Sequence, residues 1–397
     1  MLIKRKEFLQ IGALASASLM MPKFLKAFEK ETLVPPGNKV LVVLQFSGGN
    51  DGLNTVIPVR NDIYYRSRPR LGIAKDKALH LTDEAGINPA LPFLKDLYDE
   101  GSLGILNSVG YPNPDRSHFR SMDIWQSASS SDEYLHTGWL GRYLDAQCSG
   151  CDKPTQALEI DDVLSLALKG KDLKGLALRD PKKLFSASNE RYYKEVSATH
   201  ENEEPVVDYL YKTLSETLSS ADYIYQQSKL YHSSQTYPAT QLGKNFKTIS
   251  SLILSDINTK VYYVSLGSFD THVNQENQQK RLFTELNEAL VSFVSDLKAN
   301  HRFDDVTVMT FSEFGRRVSQ NASGGTDHGT ANCMFFIGGG LKQKGLINAM
   351  PDLQDLNEGD LKHKIDFKAV YATLLNKWLG ANDAKILGKK YDLLEFI

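Results

Sequence analysis

Four times along this chain a short apolar run, rich in β-branched residues, stops at a turn bearing acids, histidines or hydroxyls. The runs are Val40–Phe46, Leu103–Val109, Val261–Leu266 and Val306–Phe311. A continuous apolar run of this length suits a strand buried on both faces of a parallel sheet. In open α/β sheets, ligands bind in the crevice beyond the carboxyl ends of such strands. The pattern therefore predicts a three-layer α/β/α sandwich around a mainly parallel sheet. Asp51, Ser117, Asp270 and Glu313 should gather along one edge of it.

The turns differ in what they offer. Ser47-Gly48-Gly49-Asn50-Asp51-Gly52 follows the first run. It lacks a P-loop lysine and the GxGxxG spacing, so nucleotide binding is not indicated. Asp51 is either a ligand for a metal or phosphate, or a cap for the next helix. Arg116-Ser117-His118-Phe119-Arg120 follows the second run. Ser117 reads as a nucleophile, an anion-binding hydroxyl or a helix N-cap; a helix N-terminus also favours an anion. Asp270 and His272 follow the third run. Ser312-Glu313-Phe314-Gly315-Arg316-Arg317, then Asp327-His328, follow the fourth. Carboxylates with imidazoles suit one divalent ion, or two held roughly 3.5–4 Å apart. Arg116, Arg120, Arg316 and Arg317 suit a phosphate or sulfate through paired hydrogen bonds.

Helices are expected over Leu91–Tyr98, Val206–Tyr231, Gln241–Ile257 and Phe367–Leu379, with a long one bearing Leu282, Leu286, Leu290, Phe293 and Leu297 as a core face. Residues 150–245 read partly as an insertion covering one side of the sheet. A net charge of -2 over 397 residues makes no electrostatic case for nucleic acid. No apolar run reaches the roughly 18 residues of a membrane span.

Lys4-Arg5-Lys6 followed by the apolar stretch to Met21 has the pattern of an export signal, set against an amphipathic helix of the mature fold. Arg5-Lys6-Glu7-Phe8-Leu9 resembles a twin-arginine leader, with lysine in place of the second arginine. Residues 1–32 are the expected signal and 33–397 a single domain, exported to the periplasm or cell envelope of a bacterium. Cys148 and Cys151 have redox or metal spacing, and in an exported protein suit a surface disulfide.

The order Asp51, Ser117, Asp270/His272, Ser312-Glu313-Phe314-Gly315, His328 resembles the alkaline phosphatase superfamily, with its sulfatases and cofactor-independent phosphoglycerate mutases. The resemblance implies Asp51, Asp270, His272, Glu313, Asp327 and His328 as metal ligands and Ser117 as nucleophile. Arg116 and His118 would stand beside it, His118 and Asp327 also serving as supporting or alternate ligands, with Arg120 and Arg316 on the anion. Phe314 stands where the superfamily motif has a histidine, so one ion (zinc, manganese or magnesium) is expected rather than two. Phe46-Ser47-Gly48-Gly49-Asn50-Asp51-Gly52, Arg116-Ser117-His118-Phe119, Phe269-Asp270-Thr271-His272 and Gly325-Thr326-Asp327-His328-Gly329 together resemble the exported bacterial proteins of domain-of-unknown-function family 1501. Two functions are then in view. One is a metal-dependent hydrolase of phosphate or sulfate esters, acting on an anionic small molecule or glycan. The other is a non-catalytic secreted binding protein that retains the fold with a degenerate metal site.

Overall fold

The strands lie where the apolar runs lie. A computed structural model describes residues 38–147, 155–190 and 205–397, with the side chains of 205–216 left aside. The expected leader and the Cys148/Cys151 pair fall outside the described residues. The main sheet is built from β1 (Val40–Phe46), β2 (Leu103–Gly110), β3 (Ala157–Glu159), β4 (Leu176–Ala177), β5 (Val261–Leu266), β6 (Val306–Phe311), β7 (Asn332–Ile337), β8 (Gly345–Leu346) and β9 (Ile365–Asp366). Their order is β8-β2-β7-β6-β1-β5-β3-β4, with β9 also pairing with β2. Every pairing is parallel except those of β7, which runs antiparallel to both β2 and β6. β2 therefore points the same way as β6 and β1, and the carboxyl ends of β1, β2, β5 and β6 share one edge.

β1 is the central strand. Val42 sits opposite Val308 on one side and Tyr262 on the other. Because side chains alternate across a strand, β1 supplies both cores. Val40, Val42, Leu44 and Phe46 pack with the helices Pro92–Asp99, Gln241–Leu254 and Gln275–Ala299. Leu41 and Val43 join the opposite core, with the helices His118–Ser127, Trp139–Gln147 and Phe367–Thr373. Two apolar layers, one on each face of the sheet, make the three-layer sandwich. The unit so formed runs from Lys39 to Ile397. The Phe367–Thr373 helix passes at Leu374–Trp378 into a wider turn, and Gly380 at φ +65° follows its end. Within the 150–245 stretch, β3 and β4 extend the sheet edge beyond β5. The Pro205–Ser228 helix buries Ala221 and Ile224. No described helix is long and apolar enough to cross a membrane.

Several acids are buried, and one of them stands at the end of a sheet strand. Glu159, at the end of β3, is 4% exposed. It accepts a hydrogen bond from the Ser165 N–H at 2.6 Å. Burial pushes its carboxyl up to about 7. The fold thus favours the neutral acid. The associated stability is present below about pH 4.5 and is lost as pH rises toward 7, by about 3 kcal/mol in all. Glu159→Gln should flatten this dependence. Melting temperatures measured from pH 5 to 8 should diverge, the variant being the more stable at pH 8. Parallel curves would show that Glu159 is ionised throughout.

Candidate metal centre

The turn after β1 is knitted to its neighbours at close range. A Cβ on Gly48, which has φ +117°, would come within 2.5 Å of the Asp270 nitrogen. Glycine is what lets these two loops meet. The Gly48 N–H donates to Glu313 Oε1 at 2.8 Å and the Asn50 N–H to Ser312 Oγ at 2.9 Å. The loops after β1, β5 and β6 are thereby held as one platform.

On this platform three imidazoles converge on Asp270. His272 Nε2 lies 3.1 Å and His328 Nε2 3.3 Å from Asp270 Oδ1, and His118 Nε2 lies 3.6 Å from Oδ2. The two nitrogens of His272 and His328 are themselves 3.1 Å apart. Each ring is held from behind. His118 Nδ1 meets Glu313 Oε1 at 2.9 Å, His272 Nδ1 meets Asp327 Oδ1 at 3.1 Å, and His328 Nδ1 meets the Arg116 carbonyl at 2.8 Å. A carbonyl can only accept, so His328 Nδ1 carries its proton. The two carboxylates make the same demand of their rings when ionised. In neutral imidazoles the Nε2 atoms are then bare lone pairs, and they face one another and a carboxylate. His118 Nε2 is buried and has no hydrogen-bond partner.

Acceptors facing acceptors are stabilised by a proton or a metal cation between them. The ligand atoms of His118, Asp270 and His328 all lie within 4.8 Å of one another. Zinc held by two imidazoles at about 2.0–2.1 Å sets the nitrogens roughly 3.3 Å apart. Metal-binding histidines characteristically donate the second ring N–H to a carboxylate or carbonyl. The donor set of His118, Asp270 and His328 therefore fits a divalent ion, with His272 Nε2 beside Asp270 and His328. Asp270 is 47% and His272 42% exposed, so the centre faces solvent.

The local electrostatics follow from this packing. Burial works to raise the Asp270 carboxyl. The hydrogen bond and charge of Arg316, aided by His328 and His272, outweigh it and bring the group down to about 2. The Glu313 hydrogen bond, opposed by burial, raises His118 above its ordinary range. Bonds from Asn321 and His272 lower Asp327.

Several expected roles change. Asp51 does not join the cluster. Its Oδ2 pairs with Arg68 Nη1 at 2.5 Å, both side chains fully buried, and accepts Gln275 Nε2 at 2.5 Å. Its Oδ1 caps the Gly52–Asn54 turn. Both of its oxygens are engaged by protein donors, and it stands apart from the imidazole cluster. Glu313, 1% exposed, supports His118 instead of standing in the centre. Asp327 likewise supports His272. Arg316 was expected on an anion. Its guanidinium bonds the carbonyls of Gly48, Gly49, Phe269 and Thr326, together with Asp270 Oδ1 at 2.8 Å. Arg120 bonds the carbonyls of Ser130, Ser131 and Glu133 and lies against Tyr134. The Arg316 guanidinium is engaged through Nε, Nη1 and Nη2, whereas Arg120 bonds through Nη2 and its buried Nε has no hydrogen-bond partner. Arg116 contributes its carbonyl, while its side chain pairs with Asp360. Ser117 is exposed beside His118 at the start of the His118–Ser127 helix and makes no side-chain cap bond. Phe314 packs its ring against His118 and His328, with centroids at 4.9 and 4.7 Å.

Two further residues hold the ligand loops. Gln275 Oε1 accepts Thr326 Oγ1 at 2.6 Å and Thr271 Oγ1 at 3.2 Å. Thr271 separates Asp270 from His272, and Thr326 precedes Asp327. Gln275 thus joins the Asp51–Arg68 pair to both histidine loops. No spacing rule marks either Arg68 or Gln275 in the sequence.

No match was found among curated proteins. Among solved structures, a sulfatase from Pseudoalteromonas sp. aligns at 12% identity and TM-score 0.43, covering 90% of this chain and 70% of that one. A phosphonate monoester hydrolase from Silicibacter pomeroyi aligns at 8% identity and TM-score 0.39, covering 89% and 78%. A protein in the alkaline phosphatase superfamily from Vibrio parahaemolyticus aligns at 11% identity and TM-score 0.35, covering 89% and 71%. A family model described as protein of unknown function (DUF1501) matches residues 102–389. The chain belongs to the DUF1501 family.

Proposed function

We propose that this chain is an exported, metal-dependent hydrolase of phosphate or sulfate esters. The observation that carries the reading is the convergence of three imidazole Nε2 atoms on one carboxylate, each ring oriented from behind. His118, Asp270, His272 and His328 would hold one divalent ion. Such an ion supplies Lewis acidity to an ester oxygen. Glu313, Asp327 and the Arg116 carbonyl keep the rings in place, so little reorganisation accompanies binding. Phe314 keeps water from one side of the rings.

Ser117 is the hydroxyl beside His118, at the N-terminus of a ten-residue helix whose dipole favours an anion. In this proposal its Oγ attacks phosphorus or sulfur, and the departing alkoxide takes up the proton the hydroxyl loses. Water then cleaves the serine ester, regenerating Ser117 and releasing phosphate or sulfate. The non-catalytic reading draws on one observation, the engagement of Arg120 and Arg316 with carbonyl oxygens.

The test is turnover of p-nitrophenyl phosphate and p-nitrophenyl sulfate by the zinc- or manganese-loaded chain. Ser117→Ala should lower turnover on the order of 10³-fold or more while metal content stays constant. Undiminished turnover would remove Ser117 from the mechanism. No turnover of either ester by the loaded wild type would leave the binding-protein reading.

A further inference from the structure

We infer that the cavity next to Phe314 is the subsite for the organic part of the ester, and that it takes a single six-membered ring with an apolar face. The inference rests on the hydrolase reading above. The cavity measures about 290 Å³. Tyr111, Phe314, Ala331 and Leu361 form its apolar wall, and Lys362 and His363 its polar edge. No acidic side chain lines it. Small-molecule pockets begin at about 300 Å³ and are mostly apolar with a few polar groups that fix orientation. A space at that lower limit accommodates one ring, not a chain of them.

Its position links it to the metal centre. Phe314 packs on His118 and His328 and also lines the cavity. The cavity therefore lies one aromatic ring from the imidazoles. An ester whose anionic head is held at Asp270 has an organic group to place, and this apolar space shares the Phe314 ring with His118 and His328.

The far wall is tied to the same ligands. It comes from the hairpin of Leu356–Asn357 and Asp360–Leu361. Asp360, fully buried, accepts hydrogen bonds from both Arg116 and Arg317. Arg116 receives His328 Nδ1 on its carbonyl, and the Arg317 N–H donates to the Asp327 carbonyl at 3.0 Å. Thr330 Oγ1 donates to the Leu361 carbonyl at 2.5 Å. The wall cannot shift without disturbing His328 and Asp327, so its placement relative to the centre is fixed.

The polar edge narrows the occupant. Lys362 pairs with Asp355, and burial lowers His363, which keeps that imidazole neutral near pH 7. A neutral imidazole offers one donor and one acceptor, suited to a ring hydroxyl or ring oxygen. An aryl group and a pyranose share the required apolar face; they differ in whether His363 is used.

The experiment is calorimetric titration of the zinc-loaded full chain with methyl phosphate, phenyl phosphate and glucose 1-phosphate. At least one ring ester should bind about tenfold or more tightly than methyl phosphate, since burying a ring removes apolar area from water. Ala331→Leu, which fills the cavity, should erase that gain while leaving methyl phosphate and zinc affinity unchanged. Leu361→Ala, which opens the wall, should weaken it, guarding against a folding artefact in the first variant. A gain confined to glucose 1-phosphate and lost in His363→Phe identifies a pyranose; a gain confined to phenyl phosphate and kept in His363→Phe identifies an aryl group. Equal affinity for all three phosphates, or a ring gain that survives both cavity variants, overturns the subsite. A ring preference without turnover keeps the subsite and removes only the hydrolase reading.

Discussion

Chelation will lower the melting temperature of this protein, and zinc or manganese will restore it. An ion present at about 1,000 times its dissociation constant adds about 4 kcal/mol to a fold that alone binds it, worth roughly 5–10 °C here. The expectation follows from the proton count at the centre. His328 Nδ1 donates to the Arg116 carbonyl, so its Nε2 has no proton to offer Asp270 unless the ring charges. The rings of His118 and His272 are turned the same way by Glu313 and Asp327. Without an ion, lone pairs only 3.1 Å apart must repel or take up protons. Asp270→Asn removes the carboxylate on which all three nitrogens converge, and should abolish the response to chelator. Elemental analysis accompanies the melts. Absence of bound metal, together with melts unmoved by zinc, manganese or magnesium, would remove the metal centre and the hydrolysis built on it.

How far the sequence disclosed this arrangement depended on burial. β1, β5 and β6 are almost wholly buried between two helical layers, so their residues had to be apolar throughout, and their limits could be read as Val40–Phe46, Val261–Leu266 and Val306–Phe311. The direction of β7 could not be read. Phe335-Phe336-Ile337 is equally apolar in either orientation, and the connection from Phe311 to Asn332 is long enough for either direction, so the antiparallel pairing had no mark in the sequence. The turns after the strands named the chemistry without assigning the roles. An acid after a strand can face a ligand or the interior, and for Asp51 the interior was decided by Arg68, delivered from a separate loop. Arg316 and Arg317 are neighbours in sequence, yet the first side chain is fully buried among carbonyls and the second is 38% exposed. His118 was expected beside the nucleophile and as a supporting or alternate ligand; the packing of its helix start against Glu313 turns its Nε2 toward Asp270.

Arg68→Ala should cost about 3–5 kcal/mol of stability, the characteristic penalty for leaving one member of a buried ion pair uncompensated. Arg68 Nη1 bonds Asp51 Oδ2 at 2.5 Å and Asn54 Oδ1 at 2.7 Å, while Nε and Nη2 bond the carbonyls of Val318 and Arg317, each at 2.8 Å. Its removal strands a carboxylate with no exposed surface and frees the chain just beyond Arg316. Replacing both charges, as in Asp51→Asn with Arg68→Met, should recover much of the loss, because no bare charge stays buried. The same pair reaches the metal centre through Gln275, whose amide N–H meets Asp51 while its carbonyl accepts Thr271 and Thr326. Those threonines lie in the loops that carry Asp270, His272 and His328. Gln275→Ala should therefore weaken zinc binding about tenfold while costing less stability than Arg68→Ala, the range expected when a group that orients metal ligands is lost. Denaturant titration in chelator measures the fold, and zinc titration by calorimetry measures the site. Unchanged zinc affinity in Gln275→Ala would show that Arg316 alone suffices to place the ligand loops. Wild-type stability in Arg68→Ala would mean that water or another cation reaches Asp51.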